Sequence, residues 1–309
     1  MMMMQMLLMN DNKKTSQKKR NSGKKKLKFP ENLIDEVLKM DRLLYLNIIH
    51  KKRSLTSLQM TREILALEKN VKPEQVKEEE MEKINPNVNK RLRDLNRLKI
   101  LNDYEGEYFL SSIGFLILDE LTRLKSNIEV LRKYKGFFDD HDYTAIPPRQ
   151  LCEIHKLQFA KQCEDAIEYK GVIEENTAKT AHEIHIATEH LHDIPSWIIQ
   201  ELKEKNLALK LIYQFEEPFK KNFDDKEERN LWEEIIDGDI SAAELRYLTF
   251  EDRIPIGIRI IDQNWAILNL FEISKKKLDR PRSFYGVHEQ FVTWVEEIFS
   301  GMWNFSKLL

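Results

Sequence analysis

The segment from Val88 to Lys99 combines an apolar stripe with side chains that could recognise a nucleic acid. Val88, Leu92 and Leu95 recur at spacings of four and three residues, as one buried face of a helix requires. The positions around them are rich in amides and cations: Asn87, Asn89, Lys90, Arg91, Arg93 and Arg97. Because arginine and asparagine carry paired groups that match guanine and adenine edges, we expect these six residues to contact double-stranded DNA. An ordinary solvated helix face is the alternative.

The residues on either side predict the domain that would present this helix. Asn85-Pro86 is a favourable helix start, an N-cap followed by proline at the first helical position, and it follows a charged insert at residues 72–82. Residues 100–110 predict two short strands joined by a glycine-containing turn. Two further helices are predicted upstream, so the segment would contain three helices followed by a hairpin. We therefore expect a winged helix-turn-helix domain over residues 29–113.

Acidic residues in the predicted hairpin keep a second interpretation open. Asp103, Glu105 and Glu107 occupy positions at which a phosphate-contacting wing would carry cations. Winged helices can also serve as docking surfaces for other proteins, and an acidic hairpin suits that use. The two hypotheses are therefore a DNA-binding regulator and a non-catalytic protein–protein interaction module.

A linker helix is predicted over residues 114–135. Its apolar residues alternate at the spacings of four and three that coiled coils use: Ile117, Leu121, Leu124, Ile128 and Leu131. The run spans only two heptads, so packing within the same chain is an equal alternative. Because regulators with one recognition helix per chain usually read two half-sites, we expect a homodimer. This seam and the aromatic side of a helix near residues 291–302 are the candidate interfaces.

Residues 136–309 alternate strand and helix patterns, which predicts an α/β domain with a mixed sheet and an α+β chain overall. Residues 183–188 and 208–213 are typical of strands that flank a helix, as in a βαβ unit with parallel strands. A pair of adjacent strands is predicted around Asp262-Gln263-Asn264. The chain closes on an amphipathic helix.

We expect this second domain to bind a small-molecule effector without acting on it chemically. In an open α/β sheet the ligand crevice lies beyond the carboxyl ends of the strands. Four residues are candidates for its lining, although the aromatic ones fit a core position equally well: Tyr143, His190, Trp265 and Tyr285. No nucleophile, acid–base pair, metal motif or glycine-rich phosphate loop stands out, so we expect neither an enzyme nor a cofactor. Helix ends and surface positions explain a cluster of four histidines between residues 182 and 192 better than zinc does.

Two groups of segments resemble a known family. Asn85–Leu101 followed by Gly106–Gly114 resembles the end of winged-helix domains in archaeal regulators. Further segments resemble the sensor domain of the archaeal methanogenesis-regulator family: Ile128–Leu131, Phe137–Tyr143 with Ile146-Pro147, Ala266–Phe271, and the closing helix. The resemblance covers most of residues 40–309. It implies a DNA-binding regulator whose second domain senses a signal.

A weaker similarity connects residues 181–215 with a phospholipase-D-like half-domain. Hydrolases of that kind need a His-x-Lys pair. The chain has this pattern only at His50-Lys51-Lys52, inside the predicted DNA-binding domain. The chemistry therefore disfavours a hydrolase.

Charge and cysteine content bear on partners and location. Nine lysines and arginines lie within residues 1–28 against Asp11 alone, while the 309-residue chain has a net charge of −2. This segment suits either nucleic-acid contact or a disordered tail. Cys152 and Cys163 lack CxxC spacing, and we expect reduced thiols in a cytoplasmic protein. No apolar run in the sequence approaches the length of about 18 residues that a membrane span needs.

Overall fold

The computed structural model combines helices with a mixed sheet, so the chain is α+β. The structure describes residues 40–144, 146–189, 194, 196–205, 207–215, 243–249, 256–275 and 277–308. Two compact units divide the chain, Met1–Lys125 and Ser126–Leu309. The boundaries expected at residues 113 and 135 stay predictions, and the basic segment 1–28 lies outside the described residues. None of the helices in the described ranges is long and apolar enough to cross a membrane.

The described residues of the first unit begin with three helices and a three-stranded antiparallel sheet. The helices are α1 (Met40–Lys52), α2 (Ser57–Lys69) and α3 (Glu78–Arg97), and the strands are β1 (Leu55–Thr56), β2 (Leu101–Tyr104) and β3 (Glu107–Leu110). The strand order is β1-β3-β2. The predicted pair of short strands is confirmed by β2 and β3. Glu105 and Gly106 join them with φ values of 54° and 84°, the left-handed conformation that a tight two-residue hairpin turn requires.

The start of α3 corrects the prediction from the sequence. Asn85-Pro86 does not begin the helix but lies inside a continuous helix that starts at Glu78. Met81 is 2% exposed and packs with Leu65. The apolar stripe of the helix therefore extends to the N-terminal side of Pro86, and its burial explains the earlier start. Asn85 Oδ1 accepts a hydrogen bond from Thr61 Oγ1 at 3.1 Å instead of capping the helix. These contacts between helices outweigh the backbone hydrogen bond that Pro86 cannot donate.

The long helix predicted after the hairpin is confirmed as α4 (Ser112–Lys133). Ser111 precedes it, and its hydroxyl accepts a hydrogen bond from the Gly114 backbone at 3.0 Å. The same hydroxyl lies 2.6 Å from the carbonyl oxygen of Lys99 and 3.0 Å from that of Ile100. Ser111 therefore fixes the start of α4 to the turn that precedes β2.

The second unit is organised around one mixed sheet. Its described strands are β4 (His141–Asp142), β5 (Lys161–Gln162), β6 (Glu183–Thr188), β7 (Ala208–Phe215), β8 (Ala243–Thr249), β9 (Ile256–Ile261), β10 (Trp265–Glu272), β11 (Lys277–Leu278), β12 (Phe284–Gly286) and β13 (Lys307–Leu308). They follow the order β13-β8-β7-β6-β9-β10-β12-β5, with β4 and β11 also paired to β10. β6, β7 and β8 are parallel, and the other pairs are antiparallel. Parallel pairing of β6 with β7 confirms the predicted βαβ unit.

Helices cover both faces of this sheet. They are α5 (Lys135–Asp140), α6 (Pro148–Leu151), α7 (Ala166–Ala178), α8 (Ser196–Lys205) and α9 (Glu289–Phe305). α9 confirms the predicted closing helix and packs Trp294 and Ile298 against β9 and β10. Ile173 of α7 and Ile198 of α8 pack on the opposite face. The aromatic side of α9 is therefore core, and its use as a dimer interface was a wrong expectation, because the sheet already covers it.

The predicted pair of adjacent strands is confirmed by β9 and β10. Asp262 and Gln263 have φ values of 49° and 56° in the turn between them. The Asp262 carboxylate accepts the backbone N–H groups of Ala181, His182 and Glu183 at 2.8, 2.8 and 2.9 Å. Burial opposes ionisation, but these three donors outweigh it and lower the pKa of Asp262. The turn thus anchors the start of β6.

Candidate functional site

Cations of α3 lie on the side of the helix that faces away from the core. Val88 and Leu92 belong to its buried stripe. Lys90, Arg93 and Arg97 recur at spacings of three and four, and all three are exposed. Helical geometry places them on one face opposite the buried stripe. This face can present three positive charges to a polyanion without disturbing the core.

The other predicted contact residues flank this cationic face. Asn87 and Arg91 are exposed, whereas Asn89 is half-buried. Arg97 lies 3.5 Å from Asp94 across one helical turn, with its side chain 80% exposed. The structure therefore brings all six predicted residues onto the outer side or the flanks of one helix.

The corrected helix start changes which part of α3 could contact DNA. The first turn carries Glu78, Glu79 and Glu80, whose charges suit the positive end of the helix dipole. Glu80 also forms an ion pair with Lys69 at 2.5 Å, which lowers the pKa of Glu80 chiefly through the hydrogen bond. The acidic turn would repel phosphate. The six predicted contacts lie from the middle of the helix, at Asn87, to its end, at Arg97.

Two of the three hairpin acids have structural partners. Asp103 Oδ1 accepts a hydrogen bond from the Gly106 backbone at 3.1 Å, and Glu107 accepts one from Ser54 at 2.8 Å. These contacts shape the turn and tie β3 to the residues before β1. At the end of β2, Tyr104 is 68% exposed. The hairpin therefore offers an aromatic side chain and acids, rather than cations, to a partner.

The residues predicted to line an effector pocket are placed in different parts of the second unit. Trp265 is 4% exposed and packs with Cys163, and Tyr285 packs on the same cluster. The Tyr285 hydroxyl donates to Glu168 at 2.7 Å; burial and this hydrogen bond raise the pKa of Tyr285 to about 12. Tyr143 lies elsewhere, 42% exposed and edge-on to the ring of Phe138. His190 lies outside the described residues. The role of all four toward a ligand stays a prediction.

A small cavity lies at the carboxyl end of β6, where a crevice was expected. Its volume is about 20 Å³, and its wall includes polar side chains from α7, β6, β9, β10 and the segment after β11: Tyr169, Thr188, Arg259, Asn269 and Arg280. Arg259 is 7% exposed and Asn269 is 5% exposed. Tyr143, Trp265 and Tyr285 are not part of this wall.

Gly257 allows the side chains of Leu278 and Asn269 to approach β9 closely at the cavity wall. A Cβ at this position would lie 2.8 Å from Leu278 Cδ1 and 3.3 Å from Asn269 Nδ2. Neither Arg259 nor Asn269 was predicted from the sequence. The available signals were an arginine within the apolar run from Ile256 to Ile261 and a glycine inside the same strand, which often marks a close approach.

His141, which combines burial with an acidic neighbour, has a structural role. It is 1% exposed and stacks on Phe137 at 3.9 Å between ring centroids. Nδ1 lies 2.6 Å from the Phe137 carbonyl oxygen, and Nε2 lies 3.0 Å from Asp279 Oδ2. Both ring nitrogens therefore have partners inside the unit. Within the described ranges, no three histidine, cysteine or acidic side chains gather as metal ligands would.

Comparisons with known proteins give only distant likenesses. No protein-family model and no curated protein matches the chain. TrmBL2, described as an archaeal chromatin protein with a novel mode of DNA binding, is 14% identical over 91% of this chain and 100% of its own, with a TM-score of 0.37. Phosphatidylserine synthase from Haemophilus influenzae is 14% identical over 49% of this chain and 39% of its own, with a TM-score of 0.32. Nuc from Salmonella typhimurium, a phospholipase D family member, is 11% identical over 45% of this chain and 90% of its own, with a TM-score of 0.31. With TM-scores this low, none of these likenesses supports a conclusion about function.

Proposed function

We propose that the protein is a DNA-binding transcription regulator whose first unit is a winged-helix domain. The order of elements supports this, since α1, β1, α2 and α3 are followed by the β2–β3 hairpin. In such a domain the helix before the hairpin is the one that enters the major groove. α3 has that position.

The observation that carries the proposal is the exposed cationic face of α3. Lys90, Arg93 and Arg97 point away from the core on a helix that the hairpin follows directly. Cations on such a face bind phosphates, and arginine can also read guanine through two parallel hydrogen bonds. We assign base contacts to the positions from Asn87 to Arg93 and a phosphate contact to Arg97.

The finer parts of the proposal concern family, assembly and signal. We assign the protein to the archaeal methanogenesis-regulator family because several of its segments resemble that family. We expect it to act in the cytoplasm. We propose a homodimer through α4, on which Leu124, Ile128 and Leu131 are exposed at heptad spacing. Sedimentation as a monomer at micromolar concentration would contradict the dimer. The second unit would bind a small effector without transforming it.

The test is a gel shift with DNA selected from a random library. Lys90→Ala/Arg93→Ala should abolish the shift while the circular dichroism spectrum stays unchanged. Arg97→Ala should lower the slope of log affinity against log salt by about one, because one phosphate contact is lost. A matched control is Lys170→Ala/Lys179→Ala, which removes two exposed lysines that form ion pairs with Glu174 and Glu175 of α7. Unaltered DNA binding by Lys90→Ala/Arg93→Ala would refute the assignment of these residues to the DNA interface.

The hairpin favours one alternative function. Exposed Tyr104, together with Asp103, Glu105 and Glu107, suits a basic or aromatic protein surface better than DNA. The first unit would then be a non-catalytic docking module. In that case the selection would enrich no DNA, and replacing Tyr104 with alanine, rather than the α3 cations, would abolish capture of a partner protein.

A further inference from the structure

The cavity at the carboxyl end of β6 interrupts an apolar face of the sheet with positive charge. Arg259 and Arg280 both line it, and none of its described lining residues is acidic. Arg259 extends from the central strand β9 and is 7% exposed. A guanidinium carries five N–H donors in a planar fork, which can bind an oxyanion through paired hydrogen bonds.

Asn269 supplies a second recognition element beside the arginines. Its Nδ2 donates to the Tyr169 hydroxyl at 3.4 Å, while no described residue donates a hydrogen bond to its buried Oδ1. A buried acceptor without a donor is costly, so a group carrying a proton is favoured at this point. Because Gly257 has no side chain, Asn269 and Leu278 can lie close to the backbone of β9 at the cavity wall.

We propose that this cavity is the effector site, and that its ligand is a small organic oxyanion with a hydroxyl group near the charged end. The guanidinium of Arg259 would bind the oxyanion as a two-pronged donor, and Arg280 would add charge. The ligand hydroxyl would donate to Asn269 Oδ1. Carboxylate and phosphate share this fork geometry, so the charged end is either of the two. The inference deepens the proposed function by naming the chemical class of its effector.

The present size of the cavity implies a conformational change on binding. A volume of about 20 Å³ holds a water molecule but no organic ligand. Leu278 lines the cavity, and its backbone N–H donates to Glu189 at 3.3 Å. A ligand must therefore select a form in which this segment has moved outward. A ligand that prefers one of two forms is what a sensor requires.

Calorimetry and thermal melting of the full-length protein test the site. The probes are lactate for the carboxylate arm and glycerol phosphate for the phosphate arm, with glycerol as the neutral control. At least one anion should bind with one-to-one stoichiometry and raise the melting temperature, and glycerol should do neither. Arg259→Met should weaken the anion affinity by at least about tenfold, since a charge-assisted hydrogen bond is lost.

The variants are chosen so that loss of folding does not hide the answer. Methionine has a volume similar to that of arginine, so it can fill the same space on β9 without a clash. Arg259→Lys keeps the charge but loses the fork, and it should also weaken binding. Arg246→Met is the control, because Arg246 lies on β8 outside the cavity wall and donates to the Trp303 carbonyl at 2.9 Å. It should leave the anion affinity unchanged.

The outcomes separate this inference from the proposed function. Binding of neither anion by the wild-type protein, or equal binding by Arg259→Met and the wild type, would overturn the site. A gel shift on the same samples reports on DNA independently. If the protein binds DNA but neither anion, the proposed DNA-binding function stands and this effector site is refuted. If the protein binds an anion but no DNA, the anion site is supported and the proposed DNA-binding function is refuted.

Discussion

Replacing Gly114 with alanine should destabilise the first unit by about 1–3 kcal/mol, because the fold leaves no room for a β-carbon there. A Cβ on Gly114 would lie 2.1 Å from the carbonyl oxygen of Ile100 and 3.3 Å from Leu110 Cδ2. The obstructing oxygen belongs to the backbone and accepts the Ser111 N–H at 3.0 Å, so it cannot move without breaking that bond. The higher helix propensity of alanine, worth up to about 1 kcal/mol, offsets only part of this loss.

Gly171 offers a matched control with the opposite sign. It lies within α7, and a Cβ there would meet nothing within 4 Å. The same exchange should therefore stabilise the second unit by about 0.4–1 kcal/mol, because alanine restricts the unfolded chain and favours the helix. The contrast isolates the steric cost at Gly114 from any general effect of glycine replacement.

The distribution of tryptophan allows the two units to be followed separately. All five tryptophans of the sequence lie beyond residue 125, so their fluorescence reports on the second unit, whereas far-ultraviolet circular dichroism reports on both. In urea, Gly114→Ala should move a dichroism transition to lower denaturant and leave the fluorescence transition in place. Gly171→Ala should move the fluorescence transition to higher denaturant. A Gly114→Ala protein as stable as the wild type would refute the reasoning from close approach.

Asp262→Asn should lower the melting temperature at neutral pH, because an amide accepts the three N–H donors less well than a carboxylate does. The wild type's advantage exists above the unfolded pKa of about 4 and disappears as pH falls through the lowered pKa of Asp262, so melting curves should converge in acid. A difference independent of pH would contradict this account. A disulfide reagent that reacts with free thiols should modify exposed Cys152 quickly and Cys163 slowly, because burial raises the pKa of the Cys163 thiol to about 12. Equal rates for the two thiols would show that the core around Cys163 opens readily.

Elements defined by short-range signals could be predicted from the sequence. The β2–β3 and β9–β10 pairs are each joined by a turn of few residues, and the strand patterns adjoin the turn in the chain. The apolar period of α9 likewise predicts its buried face. In these cases neighbouring residues carry all the information, so the pattern and the fold agree.

The start of α3 shows where local signals fail. Asn85-Pro86 is a strong helix-start signal in isolation. The structure overrides it because Met81 is buried against the end of α2 and Thr61 donates to Asn85. Neither contact is visible until α2 and α3 are packed together.

The cavity could not be predicted for a related reason. Arg259 and Asn269 approach Thr188 only because β9 pairs antiparallel with β6, across a connection that includes β7 and β8. The expectation of a crevice beyond the strand ends points to the edge of the sheet at which this cavity lies. It could not give the residues, because Arg259 comes from β9, which runs antiparallel to β6, and Asn269 comes from β10, the next strand in the sheet.

The two proposed sites represent different physical means of recognising an anion. Lys90, Arg93 and Arg97 are exposed, so their attraction for phosphate acts through solvent and weakens steeply as salt increases. Arg259 is already desolvated by the fold, so an oxyanion that reaches it interacts at short range where salt screens little. Affinity for DNA should therefore depend on ionic strength much more than affinity for the effector. A chain that used exposed cations for both tasks would let DNA phosphates compete at its sensor, and burial of Arg259 would avoid that competition at the proposed effector site.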